Sequence, residues 1–372
     1  MKVGFGVGTQ PPYSRVRGLA LLGRVLRADS LWVVDHFVGL FPRSVWDKDF
    51  TWVAREGDTP DAFFDWQVLL GHLAKRVGRR ARLAVGVTEP IRRHPVLIAQ
   101  AAMSLAHLTR RAPILGIGAG ERENIEPYGL DFAKPVGMAE EALQIIRLCF
   151  DSDGPFDFRG EHFRLQDAVL DLRPPPDRVP EIWVAAHQQR MLRLTGTYGD
   201  GWFPTFPMSP EVYAEKLAVV RAAAASAGRD PESITPALQS FVVIGRTEAA
   251  ARRLFESKAI RYTWLLMSDA VWKRQGLTHP LGDGFRGMVD IVPQRMSREE
   301  VEEAIAKVPG DALAEEAIWG TPKMVVDKLQ ALGEAGLRHV VLVPLSAMVS
   351  RRAAADTIRG ILTVSRRLRA GR

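Results

Sequence analysis

Short apolar runs recur along this chain, each followed by a loop and then by a stretch whose apolar residues return at helical spacing. That alternation predicts parallel strands joined by crossover helices. The runs place strands at 2–7, 30–34, 82–87, 113–117, 181–185, 201–203, 240–244 and 339–343. Helices are expected to start at Pro95 after His94, at Pro210 after Ser209 and at Pro322 after Thr321. Proline suits the first helical position because the amide it lacks would have no partner there, and the residue before it can cap. Eight such units in 372 residues favour an α/β fold of the (β/α)8 TIM-barrel type over an open doubly wound sheet.

Two stretches break the rhythm. Residues 151–178, with Gly154, Pro155, Gly160 and Pro174 to Pro176, read as a hairpin-like excursion and a proline-rich connection. The larger insertion, 262–308, falls between strands 7 and 8. Barrel chemistry sits at the strand C-termini, so this segment is either a lid or substrate wall, or a cover for the barrel. The whole chain, 1–372, is read as one barrel domain that contains it.

Composition narrows the function classes. A hydrophobic fraction of 47% supports a substantial core. The lone Cys149 lies on the apolar face of a helical pattern, which excludes a disulfide framework and a cysteine metal site. No metal is expected. The net charge of +7 comes from basic residues interleaved with Asp and Glu, so nucleic acid is not the expected partner. The basic end, Arg366, Arg367, Arg369 and Arg372, reads as a solvated helix terminus. The first eight residues are too short and glycine-rich for a secretion signal, and no run reaches the roughly 18 apolar residues of a membrane span. A cytoplasmic protein with no integral membrane segment is expected.

The strand ends carry the candidate chemistry. Asp35 and His36 follow the run 30–34, where a carboxylate and an imidazole suit proton transfer to a bound substrate. An Asp-His pair is also ordinary turn composition, so alone it specifies nothing. Strand 82–87 runs through Val85 and Gly86 to Thr88, and a glycine inside a strand suggests a bulge or close ligand approach. Strand 113–117 runs into Gly116, Gly118 and Gly120, then Glu121 and Asn124. The spacing is not that of a dinucleotide fingerprint. The glycines suit a backbone passing beneath a planar ligand, with Glu121 and Asn124 at its edge, or else a tight turn. After strand 181–185 come Ala185, Ala186, His187 and Gln188, ahead of a helix whose N-terminus is a natural anion seat that Arg190 could assist. Together these suit a cofactor enzyme.

Residues 30–37, 85–100, 114–124, 158–165 and 181–203 resemble the bacterial luciferase-like superfamily, and within it the deazaflavin branch that uses coenzyme F420. The runs at 114–129 and 181–187, and the insertion segments 279–282 and 290–294, are most similar to ketoreductases of phthiodiolone-type lipids. The resemblance implies a barrel holding F420 at its C-terminal face, usually as a homodimer. It also implies a non-prolyl cis peptide behind the ring, here at Val85–Gly86. By the same resemblance His36 is the acid/base candidate and Glu121 a second proton donor. Cofactor contact or support falls to Asp35, Val85, Gly86, Thr88, Gly120, Asn124, Ala185, Ala186, His187, Gln188 and Arg190. His187 follows the ketoreductase pattern whereas Gln188 departs from it, at the phosphate seat.

The expected reaction is hydride transfer between F420 and a carbonyl or alcohol carbon, with a lipid ketone as substrate. That substrate implies transient contact with a membrane or with a synthase complex. Asp35 close to His36 would raise the pKa of the imidazole, and burial would lower it. Trp32, Phe41, Trp46 and Trp202 are candidates for an apolar entrance or for core packing. The rival readings are an FMN-dependent monooxygenase of the same superfamily and an idle carrier of deazaflavin or lipid.

Overall fold

The computed structural model describes residues 1–55, 59–77, 80–310 and 314–370, with the backbone only at 55 and 315. The last residue of the basic end, Arg372, lies outside them. Among the described residues eleven strands form: β1 Lys2–Gly6, β2 Ser30–Val33, β3 Arg82–Thr88, β4 Ile114–Ile117, β5 Phe156–Arg159, β6 Arg164–Ala168, β7 Glu181–Val184, β8 Gly201–Trp202, β9 Thr235–Ile244, β10 Ile318–Gly320 and β11 His339–Val343. Eight of them close a parallel ring in the order β1-β2-β3-β4-β7-β8-β9-β11, with β11 paired back to β1. The eight strands read from the apolar runs are these eight, shifted by a residue or two at their ends, and β9 starts five residues earlier than expected.

The ninth parallel strand, β10, was not anticipated. It pairs with β9 at Val242 to Ile244, beyond the part of β9 that contacts β11. Three residues are too few to show a period. Helices Pro95–Leu108, Pro210–Ser226 and Pro322–Glu334 begin where the prolines placed them. His94, Ser209 and Thr321 each accept a hydrogen bond from a first-turn amide, as caps do.

Alternate strand residues point into the ring or out towards the helices. Inside, Trp32, Ala84, Ile114, Trp183, Phe203, Ala237 and Val341 pack together. The indole of Trp32 donates to Ser30 Oγ, which also lies 2.8 Å from His339 Nε2. At the N-terminal end Arg82 bridges to Glu181, which also accepts from the Trp183 indole. Trp32 and Trp202 are therefore core residues, at 3% and 0% exposure, and line no entrance.

The excursion at 151–178 holds the antiparallel hairpin β5–β6. One carboxylate, Glu141 on helix Pro135–Asp151, accepts the amides of Glu161, His162 and Phe163 and pins its turn. Residues of the 262–308 segment lie on three helices, Lys258–Leu265, Asp269–Arg274 and Arg298–Ala306. With parts of the β2 loop and β9 they form a second apolar cluster around Phe50, Tyr262, Trp264 and Trp272. No helix among the described residues is long and apolar enough to cross a membrane.

Candidate active site

After β2 the chain surfaces at the C-terminal end of the barrel, and Asn124 on the β4 loop holds it there. Asn124 Oδ1 accepts the amides of Phe37 and Val38 at 2.7 and 3.2 Å. Its Nδ2 lies 3.1 Å from His36 Nδ1 and 2.9 Å from Glu123 Oε1. The other ring nitrogen, His36 Nε2, lies 3.5 Å from Glu121 Oε2. One imidazole and two carboxylates, His36, Glu121 and Glu123, thus meet within 4.8 Å. Glu121 keeps an open face, with its side chain 26% exposed, whereas that of Glu123 is fully buried.

Asp35 turns away from His36. Its carboxylate accepts from Thr88 Oγ1 at 2.7 Å and from Arg93 Nε and Nη2 at 3.2 Å, with Arg92 at 3.4 Å. Burial works to raise the Asp35 pKa, but the Arg93 hydrogen bond, the charges of Arg92 and Arg93 and the Thr88 hydroxyl outweigh it and hold it below the ordinary value. The expected Asp35–His36 couple is therefore absent. Two arginines capture the carboxylate, and Asn124 takes over the role of orienting the imidazole. Arg92 also donates to the Asp35 carbonyl, pairs with Glu89 and lies over the Phe37 ring at 4.7 Å. The same loop is thereby clamped from its other side.

The floor of the mouth comes from β3, β4 and β7. A non-prolyl cis bond is present, between Gly86 and Val87 and so one residue later than the Val85–Gly86 bond expected. It sits in a register break between Val85 and Thr88. Beneath it Trp32 and Phe203 stack, with centroids 4.2 Å apart, and a Cβ on Gly86 would come within 2.6 Å of Trp32. A Cβ on Gly116 would lie 2.2 Å from the Val85 carbonyl oxygen. Gly116 therefore serves strand packing and not a ligand. Gly120 and Ala185 are the small residues left partly open, beside Val87, and Gly118 is buried between them and Val87. They lie at the C-terminal ends of neighbouring strands, between the β2 loop and the loop after β7 in the strand order.

That loop ends at helix Gln189–Tyr198. Gln188, in the capping position, makes no side-chain cap, and His187 and Gln188 are both exposed. His187 Nε2 accepts from the Thr205 amide, and its carbonyl accepts from Lys216 Nζ at 2.6 Å. The Trp202 indole holds the Ala186 carbonyl. Arg190 points elsewhere, to Glu140 at 2.7 Å. It braces two helices, and Lys216 is the cation that bonds the turn, through the His187 carbonyl.

The insertion docks on the β4 loop. Asp290 lies 3.4 Å from Arg122, and Gln294 Nε2 donates to the Glu123 carbonyl at 2.8 Å. Arg295 reaches Glu126 at 3.6 Å. His279 is fixed between the Met267 carbonyl and the Leu281 amide, so it is a structural histidine. Phe41, Trp46, Phe50 and Tyr262 form a ring cluster, and partly open Phe206, Phe241, Met288, Met296 and Met348 extend the apolar wall.

Of the residues singled out by sequence, His36, Glu121 and Asn124 converge. Asp35, Val85, Thr88 and Ala186 are buried supports beneath the surface, and Gly86, Gly120, Ala185, His187 and Gln188 border the open floor. Sequence reasoning missed roles for Glu89, Arg92, Arg93 and Glu123. The paired arginines before Pro95 and the Glu-x-Glu spacing were visible, but neither says which acid an arginine will meet.

Several known proteins are similar to this chain. The family pattern described as Luciferase-like monooxygenase matches residues 4–339. A phthiodiolone/phenolphthiodiolone dimycocerosates ketoreductase of Mycobacterium tuberculosis (strain ATCC 25618 / H37Rv) is 42% identical over 335 residues, 90% of this chain and 88% of the relative. An F420-dependent hydroxymycolic acid dehydrogenase of the same strain is 34% identical over 254 residues, 66% of this chain and 67% of that one. Among solved structures, an F420-dependent secondary alcohol dehydrogenase with an F420-acetone adduct superposes with a TM-score of 0.74 at 20% identity, covering 98% of both chains. The coenzyme F420-dependent tetrahydromethanopterin reductase of Methanopyrus kandleri also gives 0.74, at 18% identity, over 98% of this chain and 97% of that one. Those two likenesses establish the fold, a (β/α)8 barrel. With the pattern matched from Gly4 to His339, the chain belongs to the luciferase-like monooxygenase family.

Proposed function

We propose that this chain is an F420-dependent oxidoreductase that interconverts a ketone and an alcohol, with a lipid ketone of the phthiodiolone type as substrate. The observation that carries the reading is the placement of His36 and Glu121, 3.5 Å apart, at the barrel mouth beside the partly open Gly120. The likeness to the ketoreductase over 90% of the chain supports the substrate class.

The residues present fit the deazaflavin. The partly open Val87, Gly120 and Ala185 at the ends of β3, β4 and β7 offer small or apolar residues against which a planar ring can lie. The amides opening helix Gln189–Tyr198, with Lys216 nearby, suit its phosphate. When bound, F420 supplies the hydride chemistry at C5. The protein orients the carbonyl and moves a proton at its oxygen, from His36 Nε2 or Glu121 Oε2. The apolar wall of Phe41, Trp46, Phe206 and Phe241 suits a long-chain substrate, and the insertion closes over it as a lid.

A second copy of the chain belongs to the proposal as well. Val68 and Leu97 stand 74% and 56% exposed on the neighbouring helices Trp66–Val77 and Pro95–Leu108, an apolar surface suited to a homodimer. The reaction is assigned to the cytoplasm, with transient membrane contact to collect the lipid.

The test is an anaerobic assay of reduced F420 against a panel of lipid ketones, following deazaflavin absorbance. Oxidation of the cofactor by a ketone is expected, and His36→Ala and Glu121→Gln should each slow it by about 10²–10⁴-fold while F420 still quenches tryptophan fluorescence at similar concentration. Quenching by FMN at much lower concentration than F420 overturns the reading in favour of the flavin monooxygenase.

A further inference from the structure

The mechanism above leaves Glu123 unused, although it sits closer to the reacting groups than any other buried acid. Its side chain is fully buried. Oε1 accepts from Asn124 Nδ2, and Oε2 is buried with no hydrogen-bond partner among the described residues. A buried, ionised carboxylate with one bare oxygen is costly, whereas a protonated one turns that oxygen into a donor. The open acceptor within reach is the carboxylate of Glu121, two residues earlier on the same loop.

We propose that Glu121 and Glu123 hold one proton between them, and that Glu123, which does not reach the mouth, acts through Glu121 as a positioning residue that keeps a proton available there. This rests on the hydride-transfer reading given above. As the carbonyl carbon gains the hydride from the reduced deazaflavin, the shared proton moves from Glu121 to the carbonyl oxygen. The pair, left with two negative charges, regains one proton from water through the open face of Glu121.

The groups facing Glu123 are few. Glu121 is on its own loop, His36 Nδ1 stands 3.9 Å away on the β2 loop, Arg92 comes from the β3 loop and Tyr262 from helix Lys258–Leu265. Arg92 is already engaged by Asp35 and Glu89. Gln294 meets only the Glu123 carbonyl. Burial first, and then the charge of Glu121, push the Glu123 carboxyl well above the ordinary carboxylate range. Two acids this close lose their protons as a pair, the second only at elevated pH.

The experiment has two arms. In the cofactor-free protein labelled with ¹³C-glutamate, one carboxyl resonance is expected to titrate far above the usual value of about 4.3, and to vanish in both Glu121→Gln and Glu123→Gln. If no carboxyl titrates above that range, or if one does so only after chelator treatment and thus marks a bound cation, the shared proton is excluded. In the second arm, Glu123→Gln keeps the shape but removes the second acid, so the pair and its shared proton are lost. The alkaline fall in kcat/KM for ketone reduction should move down by at least one pH unit, and Glu123→Asp should move it back. A uniform loss of rate with an unmoved limb overturns the proposal. Failure of every ketone to oxidise reduced F420, with the resonance still present, sinks the functional reading and leaves the carboxyl pair standing.

Discussion

Asn124 and His36 are joined twice, once through the loop and once through the ring. The Asn124 carbonyl oxygen takes the two amides that follow His36, and its amide nitrogen lies 3.1 Å from the imidazole. One neutral side chain therefore sets both the path of the β2 loop and the direction of the histidine.

Replacing Asn124 by Ala should misplace His36 without disturbing the floor. Catalysis of ketone reduction is expected to fall by about 10²-fold, since a displacement near 1 Å costs that much. F420 affinity, read by tryptophan quenching, should change little. Loss of hydrogen bonds to two amides should lower stability by about 1–3 kcal/mol in denaturant unfolding. Unaltered turnover in a folded variant would exclude this role for Asn124.

Asp35 is a structural anion, and Asp35→Asn should unfold the mouth before it alters proton transfer. Breaking a buried pair leaves Arg92 and Arg93 short of a partner, a loss of about 3–5 kcal/mol. Because the folded pKa lies below the unfolded one, the contribution of Asp35 is present above the unfolded value and lost as pH falls through the folded value. Wild-type stability should therefore drop in the acid range below about pH 4, and the variant should show a shallower drop. Equal acid slopes in denaturant melts at several pH values would reject the assignment.

Gly116 and Gly118 are two residues apart and should behave oppositely. A Cβ at Gly116 meets the Val85 carbonyl at 2.2 Å, which is backbone and cannot swing aside, so Gly116→Ala should cost about 3 kcal/mol or prevent folding. At Gly118 the nearest atom is a Val87 methyl at 3.1 Å, which can yield. Gly118→Ala should fold with almost unchanged stability and, by pushing aside the partly open Val87 side chain, bind F420 at least several-fold more weakly. Thermal melts and cofactor titration separate the two.

The contacts of Asp290 and Gln294 tie the insertion to the β4 loop. The double variant Asp290→Asn with Gln294→Ala should raise KM for a long-chain ketone more than for acetone, because the loosened segment forms only the distal part of the wall. Equal KM changes for both ketones would show that the insertion does not contact the chain of the substrate.

How much of this was legible in advance depends on the distance over which the information acts. Strand positions and three helix starts depend on neighbours within a few residues, and they stood in the apolar runs and the proline positions. The short β10 carried no period. Similarity to known sequences supplied the family and brought His36 and Glu121 into one expectation, but placed the cis bond one residue early.

By itself, then, the sequence determined the barrel, its two excursions and the strand ends at which polar chemistry would gather. Periodicity and turn chemistry are local, and burial of apolar faces leaves few ways to close eight such units. Only the tertiary structure decided that Asp35 belongs to Arg92 and Arg93, that Asn124 holds His36, and that Glu123 lies buried against Glu121. Those pairings join residues from different strand ends, and which cation meets which anion is set by the loops' approach in space, a quantity with no signature in spacing along the chain.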